Sequence, residues 1–189
     1  DFVEFPSQFN EIWATWPEIL SHYAKHYQTG EVLPSEWIEK IVEANQFGQG
    51  YATTENLGAS MLDLLWHKMD PEALKGITVE NLEQKESELL DSVGLLISTT
   101  PPRYRTAYYN HIFVSGYAAG YYSYLWSEVL DADAEAWFKA HGLTRENGDH
   151  LRNSVLSKGN TEDAMKIYRD FLGREPYVEP LLERRGLVK

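Results

Sequence analysis

Tyr117, Tyr121 and Tyr124 recur at i, i+4 and i+7 inside YYNHIFVSGYAAGYYSYLW, residues 108–126. On a helix that spacing puts three phenols on one face. A tyrosine hydroxyl, with an ordinary pKa of about 10, stays protonated at neutral pH and can donate to a developing oxyanion. The same spacing also describes a stripe of core residues. Two details point toward chemistry. Gly116 and Gly120 remove side chains beside the stripe and allow close approach of a backbone or ligand, and His111 adds a titratable group just upstream. The residues alone leave both readings open.

Glu4 is the second candidate. It stands between Val3 and Phe5 in an apolar stretch just before Pro6, with Glu11 two turns further on. A carboxylate among aromatic residues is costly to bury unless it is paired or coordinated, so it reads either as a metal ligand or as a carboxylate favoured by a helix N-terminus. His22 and His26 share the i, i+4 spacing by which an HExxH helix offers two imidazoles to one zinc ion, but Tyr23 stands where that motif carries its glutamate. Without that carboxylate the pair reads as a solvated helix face rather than a metal site.

The elements that must position these residues read as helices. Phe9, Ile12, Trp13, Trp16, Ile19, Leu20, Tyr23 and Tyr27 recur at threes and fours, with Pro17 placed to end one helix and open the next, and Thr29-Gly30 reads as the C-terminal stop. A further helix is expected after Leu33-Pro34, with Trp37, Ile38, Ile41 and Val42 on its buried side. Another runs from a cap at Thr53 or Thr54 to about His67, and a fourth from Thr78 to before Gly94. A late helix starts near Asn160 or Thr161 and stops at Gly173. Only Gly94 to Thr99 reads as extended. The expected fold is all-α, in one piece.

Composition narrows the function classes. The 189 residues carry a formal charge of -12 and no cysteine, with a pI near 4.9. The charge argues against a phosphate-backbone surface for nucleic acid, and the lack of cysteine excludes a disulfide framework and a thiolate site. No apolar run reaches the roughly 18 residues of a membrane span.

Taken together, DFVEFPSQFNEIWATWP, HYQTGE, LDLLWH, PPRYR, HIFVSGYAAGYYSYLW, GLTRENG, SKGNTED and RRGL span the whole chain. They resemble the C-terminal part of the thimet-oligopeptidase family of zinc metallopeptidases, in its peptidyl-dipeptidase (dipeptidyl carboxypeptidase) branch. The resemblance implies a channel-containing helical peptidase that releases C-terminal dipeptides from oligopeptides with one zinc ion. It implies Glu4 as the third zinc ligand, roughly 25 residues beyond an HExxH helix. His111, Tyr117 and Tyr124 match the residues that hold the substrate backbone and stabilise the tetrahedral intermediate, leaving Tyr121, Tyr122 and Trp126 to packing. Arg103 and Arg105 of PPRYR are candidates for a substrate carboxylate, with structural ion pairs as the alternative role.

The chain contains no HExxH, and Val114-Ser115-Gly116 stands where the family tends to carry a run of glycines. Residues 1–189 are therefore expected to be the part of the catalytic domain that begins just after the zinc helix, inactive alone and partnered by the N-terminal remainder of the same protein. A cytoplasmic location is expected. The rival reading is a non-catalytic all-helical module that binds peptides or a partner protein.

Overall fold

A computed structural model describes residues 1–188. In chain order the α-helices are α1 (Phe5–Glu11), α2 (Pro17–Tyr23), α3 (Ser35–Asn45), α4 (Gln49–His67), α5 (Pro71–Leu74) and α6 (Leu82–Asp91). They continue with α7 (Asn110–Phe113), α8 (Ser123–His141), α9 (Arg145–Leu151), α10 (Ala164–Leu172) and α11 (Glu179–Arg184). Among the described residues there is no β-strand beyond an isolated bridge between Lys25 and Val32. The fold is all-α. Among the described residues no helix is long and apolar enough to cross a membrane.

Local chemistry explains many boundaries. Pro17 opens α2 because its fixed φ suits the first turn and its missing N–H has no partner there anyway. Asp70 caps α5 by accepting from the Glu72 N–H at 2.8 Å. Asp163 caps α10 through the Lys166 N–H at 2.9 Å, and Gly173, at φ +73°, ends it in the left-handed conformation that glycine adopts without strain.

Several expectations are corrected. The cap of α10 is Asp163, three residues beyond Asn160. Residues 95–100 form coil and turn, because a lone extended segment finds no strand to pair with. On α3 only Ile38 is buried; Trp37, Ile41 and Val42 are exposed. Thr78 does not cap α6. Its N–H donates to Asn81 Oδ1 at 2.8 Å, and α6 starts after Asn81. The His22–His26 pair shares no helix face: α2 stops at Tyr23, and His26 Nδ1 accepts from the Thr29 N–H at 3.2 Å within a reversal of the chain.

The chain divides into two compact units, one of residues 1 and 48–125, the other of residues 2–47 and 126 onward. In the first, Leu62, Trp66 and Leu90 form the core between α4 and α6, with Met69, Ile77, Leu82, Leu89 and Leu95 around them. The PPRYR segment is tied to this core. Trp66 Nε1 donates to Thr106 Oγ1 at 2.8 Å, the Arg103 N–H donates to the Glu55 carbonyl at 3.0 Å, and buried Glu86 accepts from the Thr106 N–H at 2.6 Å and from Arg105 Nε.

Gly58 lets Pro102 approach α4. A β-carbon there would lie 3.2 Å from Pro102 Cβ and 3.3 Å from Pro102 Cα. Gly58→Val should therefore lower stability by about 1–3 kcal/mol in thermal or urea unfolding, as over-packing does. Gly50→Val, on the same helix with nothing within 4 Å, is the matched control and should be neutral or slightly stabilising.

In the second unit Phe5, Phe9 and Ile12 pack with Leu130, Ala134, Phe138, Leu151, Val155, Ile167, Tyr168 and Phe171. Tyr168 is fully buried, and its hydroxyl donates to the Leu130 carbonyl at 2.6 Å. Carboxylates on α8 meet the arginines of the C-terminal segment: Asp133 with Arg174, Asp131 with Arg184, Glu128 with Arg185.

Candidate active site

The tyrosine-rich stretch is not one continuous helix. After α7 the chain turns through residues 114–122, and α8 begins only at Ser123. The Tyr117 N–H donates to the His111 carbonyl at 3.0 Å, closing the first loop with Gly116 at φ +89°. The Gly120 N–H donates to the Tyr117 carbonyl at 2.8 Å and the Ser123 N–H to the Gly120 carbonyl at 3.0 Å. Ala119 sits at φ +53°, a left-handed conformation uncommon for a residue with a β-carbon.

This turn still brings the expected residues together. The Tyr117 and Tyr124 rings stack with centroids 5.0 Å apart and planes 18° from parallel, and Tyr121 lies 5.0 Å from Tyr124. The His111 ring is edge-on to all three, at 6.0 Å from Tyr117, 5.4 Å from Tyr121 and 6.2 Å from Tyr124. Tyr104 of PPRYR joins at 4.8 Å from His111 and stacks on Tyr109. Offset and edge-on ring pairs of this kind are each favourable beyond their buried area.

Burial separates the roles available to the tyrosines. Tyr109 and Tyr121 are buried, while Tyr117 and Tyr124 are partly exposed. Burial, reinforced by the neighbouring phenols, pushes the Tyr121 hydroxyl up to about 12, and burial pushes Tyr109 up as well. The Tyr109 hydroxyl donates to the Ala59 carbonyl at 3.2 Å. These two are foundation. Tyr117 and Tyr124 present the face that a ligand can reach. His111 Nδ1 is buried and has no hydrogen-bond partner among the described residues, which is unusual for a buried polar atom.

The two arginines differ. Arg105 is paired with buried Glu86, whereas Arg103 is exposed and its guanidinium lies 5.2 Å from the Tyr104 ring centre. Glu4 belongs to the other unit. It is partly buried at the start of α1, and its Oε2 accepts from Ser7 Oγ at 2.6 Å. Among the described residues no three His, Cys, Asp or Glu side chains are grouped to hold a metal.

One residue at the tyrosine turn is not suggested by spacing. Asp63, fully buried on α4, accepts from the Ala119 N–H and from the Tyr121 N–H, each at 2.9 Å. The available signal was a carboxylate inside the apolar run LDLLWH, which burial makes costly unless several donors meet it.

Peptidase family M3 matches residues 1–187. The chain is 45% identical over 188 residues to a dipeptidyl carboxypeptidase of Escherichia coli K12, covering 99% of this chain and 27% of that protein. It is 37% identical to oligopeptidase A of the same organism, again over 99% of this chain and 27% of the relative. Identity to saccharolysin of Saccharomyces cerevisiae is 31%, over 99% of this chain and 26% of the yeast protein. The chain thus spans about a quarter of the length of these relatives, and a match running through all the motifs that build the tyrosine turn places it in peptidase family M3.

Proposed function

We propose that the chain is the C-terminal part of the catalytic domain of a zinc-dependent peptidyl-dipeptidase, an enzyme that releases dipeptides from the C-terminal end of oligopeptides. The observation that carries this reading is the Tyr117–Tyr124 stack beside His111, whose Nδ1 is buried with no hydrogen-bond partner among the described residues. The names of the relatives, a dipeptidyl carboxypeptidase and an oligopeptidase, support the substrate class.

Tyr117 and Tyr124 donate hydroxyl hydrogen bonds to the carbonyl oxygen of the scissile bond as negative charge develops on it. His111 meets both rings and Tyr121 meets that of Tyr124, so the donors need little reorganisation during the reaction, which is the condition for a large electrostatic contribution. His111 binds the substrate backbone. Of the two arginines, Arg103 is the better placed to meet a terminal carboxylate, because Glu86 already engages Arg105.

Zinc fits Glu4 as one ligand of a larger set. A carboxylate oxygen lies within zinc's donor range, and the Ser7 hydroxyl orients this one as an outer partner does. The other ligands and the general base would come from the HExxH helix that the resemblance implies upstream. When bound, zinc supplies Lewis acidity toward the scissile carbonyl.

The test uses the complete gene product. It should contain HExxH upstream, retain about one zinc per chain by metal analysis, and cleave a peptide with a free C-terminus while sparing its amide. Glu4→Ala should reduce zinc retention, and residues 1–189 alone should bind zinc weakly, since one carboxylate cannot assemble a closed site. Tight stoichiometric zinc in the 189-residue chain that survives Glu4→Ala would overturn the ligand assignment. A gene product without HExxH would leave the helical binding module.

A further inference from the structure

The turn that carries Tyr117 and Tyr121 is held from α4, more than fifty residues away in sequence. Asp63 is fully buried, and its two oxygens are divided between the turn's amides: Oδ1 takes the Ala119 N–H and Oδ2 the Tyr121 N–H, each at 2.9 Å. His67, one turn further along α4, places Nδ1 2.8 Å from Asp63 Oδ1. Among the described residues the hydrogen bonds and ion pair of this carboxylate go to the tyrosine turn or to its own helix.

The turn needs such an anchor. Ala119 is held at φ +53°, and it is the only non-glycine residue at positive φ among those described. A left-handed alanine is disfavoured by about 1–2 kcal/mol, so it persists where surrounding contacts over-determine it. Two backbone N–H groups converging on one fully buried carboxylate form charge-assisted hydrogen bonds, stronger than neutral ones. The bonded residues bracket Gly120 and sit between Tyr117 and Tyr124. Where the carboxylate stands decides where the two stacked rings stand.

We propose that Asp63 is a positioning residue for the tyrosine pair: by holding the N–H groups of Ala119 and Tyr121 it sets the Tyr117–Tyr124 stack in the geometry that receives the oxyanion. The catalytic half of this inference rests on the peptidyl-dipeptidase reading above. The structural half does not. A cavity-neutral Asp63→Asn keeps the shape but swaps one acceptor oxygen for an amide nitrogen that faces a backbone N–H.

The experiment is run in the complete enzyme with three readouts. Hydrogen exchange at the Ala119 and Tyr121 amides should accelerate at least tenfold in Asp63→Asn. The kcat for a peptide substrate should fall about 10–100-fold while KM stays within about threefold, because misplaced donors weaken transition-state binding more than substrate binding. Tyr124→Phe, measured alongside, reports whether the tyrosines act in the reaction at all. Should Asp63→Asn fold poorly, an ester in place of the peptide bond at the Ala119 nitrogen deletes that single N–H and leaves every side chain in place; the same fall in kcat is expected.

Unchanged exchange at both amides would overturn the anchor. Fast exchange with a normal kcat, while Tyr124→Phe is slow, would overturn the positioning role and leave a purely structural carboxylate. A Tyr124→Phe enzyme of normal rate would instead bring down the reading of the tyrosines, and with it the catalytic half of the inference, whatever the exchange shows.

Discussion

Tyr124→Phe in the complete enzyme should lower kcat by about 10²–10³-fold and leave KM within about threefold, the signature of a donor used mainly in the transition state. Phenylalanine keeps the ring, so the stack on Tyr117 at 5.0 Å and the contact with Tyr121 survive, and the melting temperature should stay near wild type. Tyr122→Phe is the matched control. It removes a hydroxyl from an exposed neighbour whose contact is with Asp1 at 3.2 Å, outside the aromatic cluster, and its kcat should be unchanged. Steady-state kinetics on a single oligopeptide decides it. Equal rates for the two variants would mean that Tyr117 and Tyr124 are core residues with partly exposed edges.

What the sequence makes legible is mostly local. The stop of α10 at Gly173 follows from a backbone preference readable in a few residues, and the all-α class follows from spacing that recurs along the chain. What it hides depends on contacts made from far away. A helical i, i+4, i+7 stripe describes Tyr117, Tyr121 and Tyr124, and the rings do cluster, but through a turn rather than a helix. The Ala119 and Tyr121 amides donate not to i−4 carbonyls but to a carboxylate 56 residues upstream of Ala119. Asp63 itself was visible only as an anomaly, an acid in LDLLWH, with nothing to say which donors would meet it. His22 and His26 fail for a related reason. Their spacing presumes a continuous helix, and the bridge between Lys25 and Val32 reverses the chain before the second histidine can join the first.

The ion pairs on α8 show how unequal such contacts are, and they yield the largest expected effect on stability. Asp133 is fully buried and accepts three hydrogen bonds, from Arg174 Nη1 at 2.7 Å, Arg174 Nη2 at 2.6 Å and the Tyr177 N–H at 3.0 Å. The two guanidinium bonds are parallel, and the same guanidinium lies 4.1 Å from the Tyr177 ring centre and donates to the Glu175 carbonyl. Arg174→Ala removes all of these and leaves a buried carboxylate with one N–H. Breaking a buried pair from one side costs about 3–5 kcal/mol, and the partial exposure of Arg174 puts the expected loss near the lower end, about 3 kcal/mol. In a cooperative unit of roughly 150–250 residues this corresponds to a fall of about 6–12 °C in Tm. Arg174→Lys should recover little, because an ammonium cannot make the two parallel bonds. Lys75→Ala provides the contrast: its pair with Glu72 is more than two-thirds exposed on both sides, and its loss should shift stability by no more than about 0.5 kcal/mol. Thermal unfolding of the three variants separates these cases, and an Arg174→Ala protein that melts with Lys75→Ala would show that Asp133 finds other donors when its arginine is gone.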